Sequence, residues 1–171
     1  MATAPDRLVT YQLHRREVIP ATLDQVFTFF KDPRNLEALT PPWLAFRILR
    51  STDAEVKVGM RIRYRLRLHG IPVQWESRIT EYVEGSHFAD EQVSGPYRSW
   101  YHRHEFRTIA GGVEMTDRVD YTMPFGPIGR LAHAVAVRRQ LRLIFDFRTR
   151  MIMQRFPGPA TTNPAPPAVM P

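Results

Sequence analysis

Between Met60 and His69 the chain alternates without a break: Met60, Ile62, Tyr64, Leu66 and Leu68 are apolar, while Arg61, Arg63, Arg65, Arg67 and His69 are basic. A period of two sends successive side chains to opposite faces of a β-strand, so this segment is a strand with one face buried and one in water. Such a strand needs paired neighbours and a second layer over its apolar face.

The same period runs on to residue 123, punctuated by Gly70-Ile71, Glu84-Gly85, Ser94-Gly95-Pro96-Tyr97 and Ala110-Gly111-Gly112. These are turn signals. They predict an antiparallel meander of strands over 60–69, 73–83, 86–93, 98–109 and 113–123. Ala45–Ser51 adds a strand before it, and Tyr11–Ile19 another that stops at Pro20. In the first hairpin Arg65 is expected to face Glu76, and Leu66 to face Trp75. Opposite charges then meet outside and apolar groups inside, so the arginines read as a solvated face rather than a phosphate-binding stripe.

Helices occupy the two ends of this run. Thr22 and Gln25 have the spacing of a capping box ahead of Val26, Phe27, Phe29 and Phe30. Asp32-Pro33 starts a short second helix, with Leu36 and Leu39 on one face, and Thr40-Pro41-Pro42 ends it. From Ile128 to Phe156 there is no proline. Leu131, Ala134, Val135, Leu141, Ile144, Phe145 and Ile152 recur at helical spacing, with seven arginines, Arg148 among them, on the polar sides. This long helix must bury its stripe against the concave face of the sheet.

The 171 residues carry no cysteine, which excludes disulfides, thiolate metal sites and cysteine nucleophiles. Net charge is +7, yet 22 of the 24 basic residues are arginine, a bias that does not by itself mark a nucleic-acid partner. No run approaches the ~18 apolar residues of a membrane span, and the first residues lack a secretory signal, so a soluble cytoplasmic protein is expected. Residues 1–7 read as an extension, 8–156 as one domain, and 157–171, with six prolines and no charge, as a disordered tail.

The order strand, two short helices, antiparallel strands and one long helix resembles the START-like, helix-grip superfamily (SRPBCC). So does the wording of Ile19-Pro20-Ala21, of Asp32-Pro33-Arg34-Asn35-Leu36, and of Thr40-Pro41-Pro42. Phe88-x-Asp90-x-Gln92-x-x-Gly95-Pro96-Tyr97-x-x-Trp100-x-His102-x-His104-x-Phe106 and Asp117 to Gly126 resemble its bacterial polyketide cyclase/dehydrase and lipid-transport-like branch. The resemblance covers about residues 8–155. It implies an α+β fold: a curved antiparallel sheet of six or seven strands wrapped around the last helix, with a cavity between them for a hydrophobic ligand.

Strand parity supplies the chemistry. Trp100, His102, His104 and Phe106 share one face, and Val113, Met115, Asp117, Val119, Tyr121 and Met123 share one face of the next strand. The aromatic and aliphatic members point both faces inward, so the histidines and Asp117 go with them. Centring the turn at Gly111 sets Phe106 opposite Met115, His104 opposite Asp117, His102 opposite Val119 and Trp100 opposite Tyr121. Centring the previous one at Gly95 sets Asp90 opposite Trp100 and Phe88 opposite His102, and the Glu84-Gly85 turn sets Ser77 opposite Gln92. Facing β-carbons stand about 5 Å apart, within hydrogen-bonding reach for His104 and Asp117.

Three readings stay open for this cluster. It is a self-satisfied buried pair that stiffens the sheet. Or it is an acid–base site, His104, Asp117 and His102 moving a proton on a polyketide-like substrate. Or it is a two-histidine, one-carboxylate metal site, against which stands the direct pairing of His104 with Asp117; no metal or other cofactor is expected. Around it Tyr64, Leu66, Trp75, Phe88, Trp100, Met115 and Tyr121 are expected to line the cavity, with Asp90, Gln92 and Asp117 as polar anchors and Trp43 and Tyr97 at its rim. The expected partner is a lipid or polyketide-like molecule, with neither nucleic acid nor stable membrane insertion, and cyclase or dehydratase activity is the alternative to simple binding. The sequence is silent on oligomeric state.

Overall fold

The alternating segments do form one sheet. In a computed structural model, which describes residues 9–158, seven antiparallel strands lie in the order β1-β7-β6-β5-β4-β3-β2. They are β1 (Thr10–Ile19), β2 (Arg47–Ser51), β3 (Arg61–Leu68), β4 (Ile71–Val83), β5 (His87–Ser94), β6 (Ser99–Ile109) and β7 (Gly112–Thr122). Five are the predicted meander. The pairing of β1 with β7, from Thr10↔Thr122 to Ile19↔Val113, joins the first strand to the last and leaves no local signal in the sequence. Register shifts at Ile48/Arg50, Glu76/Ser77 and Ile79/Glu81 mark bulges, which bend and twist a sheet. The proposed extension at 1–7 and all but Pro157 and Gly158 of the tail lie outside the described residues.

Two hairpins differ from the expected register by two residues. In β3–β4, Arg63 faces Glu76 and Tyr64 faces Trp75, where Arg65 and Leu66 were expected. The turn centres on His69-Gly70, both at positive φ (51° and 83°). That is the geometry of a tight hairpin turn, and it accommodates His69 as well as the glycine. In β5–β6, Phe88 faces His104 and Asp90 faces His102. The Ser94–Arg98 connection is wider than a tight turn, and the Gln92 amide clasps it by donating to the Tyr97 carbonyl (2.7 Å) and accepting from the Tyr97 N–H (3.3 Å). A two-residue shift changes partners but keeps every side chain on its face. The outer face carries ion pairs, Arg61 and Arg63 both meeting Glu76 at 3.0 and 2.8 Å.

Thr22 caps α1 (Leu23–Lys31) with both bonds of the capping box. The second helix, α2, is shorter than expected (Asn35–Ala38): Arg34 precedes it without a side-chain cap, and Asp32 accepts from the Arg34 N–H and guanidinium in the turn before it. A 3-10 turn (Pro42–Leu44) leads into β2. The C-terminal helix is continuous but not uniform: α3 (Gly126–Ala132) passes through a π-helical turn (His133–Val137) into α4 (Arg138–Arg155). In α4, Leu141, Phe145, Arg148 and Ile152 form the buried stripe. Up to and within the π turn the expected stripe fails. Leu131, Ala134 and Val135 face solvent, and His133 is buried, stacked on Tyr11 (3.5 Å) and bonded to the Tyr121 hydroxyl (2.8 Å). The extra residue of the π turn rotates the two halves out of phase. Among the described residues no helix is long and apolar enough to cross a membrane.

Candidate functional site

Between the concave face of the sheet and α4 lies a cavity of about 200 Å³. The alternation of β3, β4 and β6 supplies its aromatic wall. Trp75 stacks on Tyr64 (5.8 Å) and meets Trp100 (5.2 Å) and Tyr97 (5.5 Å) edge-on. Leu66 and Phe88 complete that side, and Leu141, Ile144 and Phe145 of α4 form the opposite one. Asp32, Asn35 and Thr40, half-buried, border it from the α1–α2 segment.

One end of the cavity is polar. Asp90, His102, His104 and Arg148 converge there, with Ser77 nearby. Below them, 1% exposed, sits Asp117. Its Oδ1 contacts both imidazoles, His104 Nδ1 at 2.6 Å and His102 Nε2 at 3.0 Å. A contact this short between a ring nitrogen and a carboxylate places a proton between them. Arg148 can only donate, so with the Nδ1 proton on Asp117 its 3.3 Å approach to the same His104 Nδ1 is a contact of two donors rather than a hydrogen bond. The neutral tautomers are then Nδ1–H for His104 and Nε2–H for His102, leaving His104 Nε2 and His102 Nδ1 as lone pairs. Those two atoms stand 3.9 and 4.0 Å from Asp90 Oδ1. Ser77 accepts from Trp75 Nε1 (3.1 Å) and lies 3.3 Å from the Tyr64 hydroxyl.

Arg148 completes the arrangement. Its Nε lies 3.3 Å from Asp117 Oδ2 as an ion pair without hydrogen-bond geometry, a terminal nitrogen lies 3.3 Å from His104, and the guanidinium covers the Phe30 ring at 5.2 Å. Burial would raise the Asp117 carboxyl, but Arg148 and the two imidazoles hold it well below the usual carboxylate range. Burial, reinforced by His102, pushes His104 down to about 3, so its ring is neutral. Burial also raises the Asp90 carboxyl, against the pull of His102.

Of the residues singled out from the sequence, Tyr64, Leu66, Trp75, Phe88, Asp90, Tyr97, Trp100, His102 and His104 border the cavity. The pairings across β6–β7 are as expected, and so is Ser77 with Gln92. Five do not border the cavity: Asp117 lies beneath the two histidines, and four residues are placed elsewhere. Gln92 is spent on its turn. Met115 packs in the main core under α1. Tyr121 reaches His133. Trp43 is half exposed against Phe147. Arg148 was read as part of a solvated face, yet its spacing from Leu141, Phe145 and Ile152 already puts it on the buried stripe.

No curated protein sequence matches the chain. Solved structures do, at low identity. A protein from Chromobacterium violaceum, CV1439, aligns with TM-score 0.64 and 16% identity over 86% of this chain and 97% of that one. Ginseng major latex-like protein 151, from Panax ginseng, gives the same values. The di-domain aromatase/cyclase StfQ of a steffimycin pathway aligns with TM-score 0.66 and 13% identity over 86% of this chain and half of its own length. These likenesses establish the fold, a helix-grip sheet and long helix. Residues 19–148 match the model of the family "Polyketide cyclase / dehydrase and lipid transport". The architecture and this match over most of its length place the chain in that family, within the START-like SRPBCC group.

Proposed function

We propose that this protein binds a small, largely apolar molecule with an oxygen function, held in the cavity between sheet and α4. The observation that carries this reading is the cavity's polarity gradient: Trp75, Trp100, Tyr64 and Ile144 make an apolar body, and Asp90, His102, His104 and Arg148 gather at one end. Such a site desolvates a ring or chain at one end and orients a carbonyl or hydroxyl at the other. At about 200 Å³ it lies below the ~300 Å³ that begins the range for drug-sized ligands, which favours a compact molecule or one that extends past α2. The relatives of known description, a cyclase domain and a norcoclaurine synthase among them, support small-molecule chemistry in this fold.

A second reading, proton transfer by His104 and Asp117, is favoured by the carboxylate that fixes the ring. It is weakened by the Nδ1 proton's engagement with Asp117 and by burial, which disfavours the imidazolium.

Isothermal titration calorimetry with 2-naphthol tests the binding reading, alongside the variant Ile144→Trp, which fills the cavity from α4. Saturable binding to the wild type and none to a folded Ile144→Trp is the expected result. Equal binding to both, or none to the wild type and no apolar molecule co-purifying in mass spectra, would overturn it.

A further inference from the structure

We propose that Asp90, His102 and His104 form a site for one divalent transition-metal ion of the zinc type, open towards the cavity. The sequence argued against a metal because His104 and Asp117 looked mutually satisfied. The geometry removes that objection. Asp117 takes one nitrogen of each imidazole and leaves the other free, and it is Asp90, from the opposite neighbouring strand, that faces the free pair.

One ligand atom from each of Asp90, His102 and His104 lies within 4.8 Å of the other two. The Asp90 distances of 3.9 and 4.0 Å are too long for hydrogen bonds. Three candidate ligand atoms thus lie close together with no hydrogen bond between Asp90 and either imidazole. A cation satisfies all three. Ligands about 2.1 Å from a tetrahedral zinc ion stand roughly 3.4 Å apart, so binding needs each Asp90 distance to contract by roughly half an ångström. Asp90 is the most accessible of the three, its side chain 18% exposed.

The surroundings are those that hold metal ligands in place. Each imidazole donates its other N–H to a buried carboxylate, which fixes tautomer and ring direction. Arg148 neutralises that carboxylate, leaving Asp90 as the counter-charge for a cation. Two nitrogens and one oxygen suit zinc, iron, cobalt or nickel over calcium or magnesium. Three protein ligands leave a fourth position, which would face the aromatic end of the cavity.

The test uses the full chain dialysed against a chelator and titrated with Co²⁺, followed by visible absorption, and with Zn²⁺ by calorimetry. One ion per chain is expected, with Zn²⁺ displacing Co²⁺. Asp90→Asn and His102→Gln should each weaken binding about tenfold or more, while His14→Gln/His69→Gln, on exposed positions, should leave it unchanged. Far-UV circular dichroism checks that each variant is folded. No saturable binding below about 1 mM, binding that survives in both site variants, or binding lost with His14 and His69 would overturn the proposal. It does not rest on the apolar-ligand reading: metal binding without 2-naphthol binding sinks only that reading, and the reverse sinks only this one.

Discussion

Replacing Arg148 by methionine keeps the length of the side chain and removes its charge. In the wild type Arg148 is 7% exposed and Asp117 1%, with 3.3 Å between Nε and Oδ2. Removing one member of a buried pair strands the other charge, at a cost of about 3–5 kcal/mol. Asp117 keeps its two imidazole donors, which argues for the lower end, and the lost cation–π contact with Phe30 adds on the order of 0.5–2 kcal/mol. The expected loss is therefore about 3.5–5 kcal/mol, or roughly 7–20 °C in Tm for a domain of this size. Urea unfolding followed by circular dichroism reads it directly. The double variant Arg148→Met/Asp117→Asn removes both charges and should recover more than half of the loss, since a buried pair replaced as a unit is often neutral. A loss under about 1 kcal/mol for the single variant, or a double variant less stable than the single, would refute the view that Arg148 is there to neutralise Asp117.

Gly112→Ala should destabilise by about 2 kcal/mol or more in urea melts: its φ is 148°, and a β-carbon there would meet the Ile19 carbonyl at 2.1 Å, where the end of β1 passes. Thr22→Ala removes half of the capping box and should cost about 1 kcal/mol by the same assay. Glu17 sits on the inward side of β1, bonded to the Thr149 hydroxyl, and burial raises its carboxyl above the ordinary value. The folded state thus holds this proton more tightly than the unfolded chain, so stability falls as pH rises from the unfolded value through the raised one. Glu17→Gln should accordingly gain on the wild type between pH 4 and pH 7 in paired urea midpoints; an advantage that shrinks over that interval would reverse the argument.

The legible part of the fold is the part fixed by period two. One-residue errors in a strand invert its faces and would have put His102 and His104 in water, whereas two-residue errors leave the faces intact. The misplaced turns at His69-Gly70 and Ser94–Arg98 were of the second kind, so Asp90 still met the histidines although its expected partner was Trp100. Charge obscured Arg148: an arginine in a helix with six others reads as solvated, and only its phase relative to Leu141 and Phe145 says otherwise. Trp43, expected at the rim, and Tyr121, expected in the cavity from strand parity, are sent by packing to Phe147 and His133. The β1–β7 pairing closes a gap of about a hundred residues, and no local pattern encodes it.

The π turn makes the length of the last helix as consequential as its composition. One residue more than a regular turn is looped out between His133 and Val137. Deleting a single residue there would let the backbone relax into an unbroken α-helix and swing everything upstream by about 100° about the axis. His133 would leave Tyr11 and Tyr121 while Arg148 and the cavity wall stayed put, so the segment works as a fixed phase adjuster between two independently docked halves.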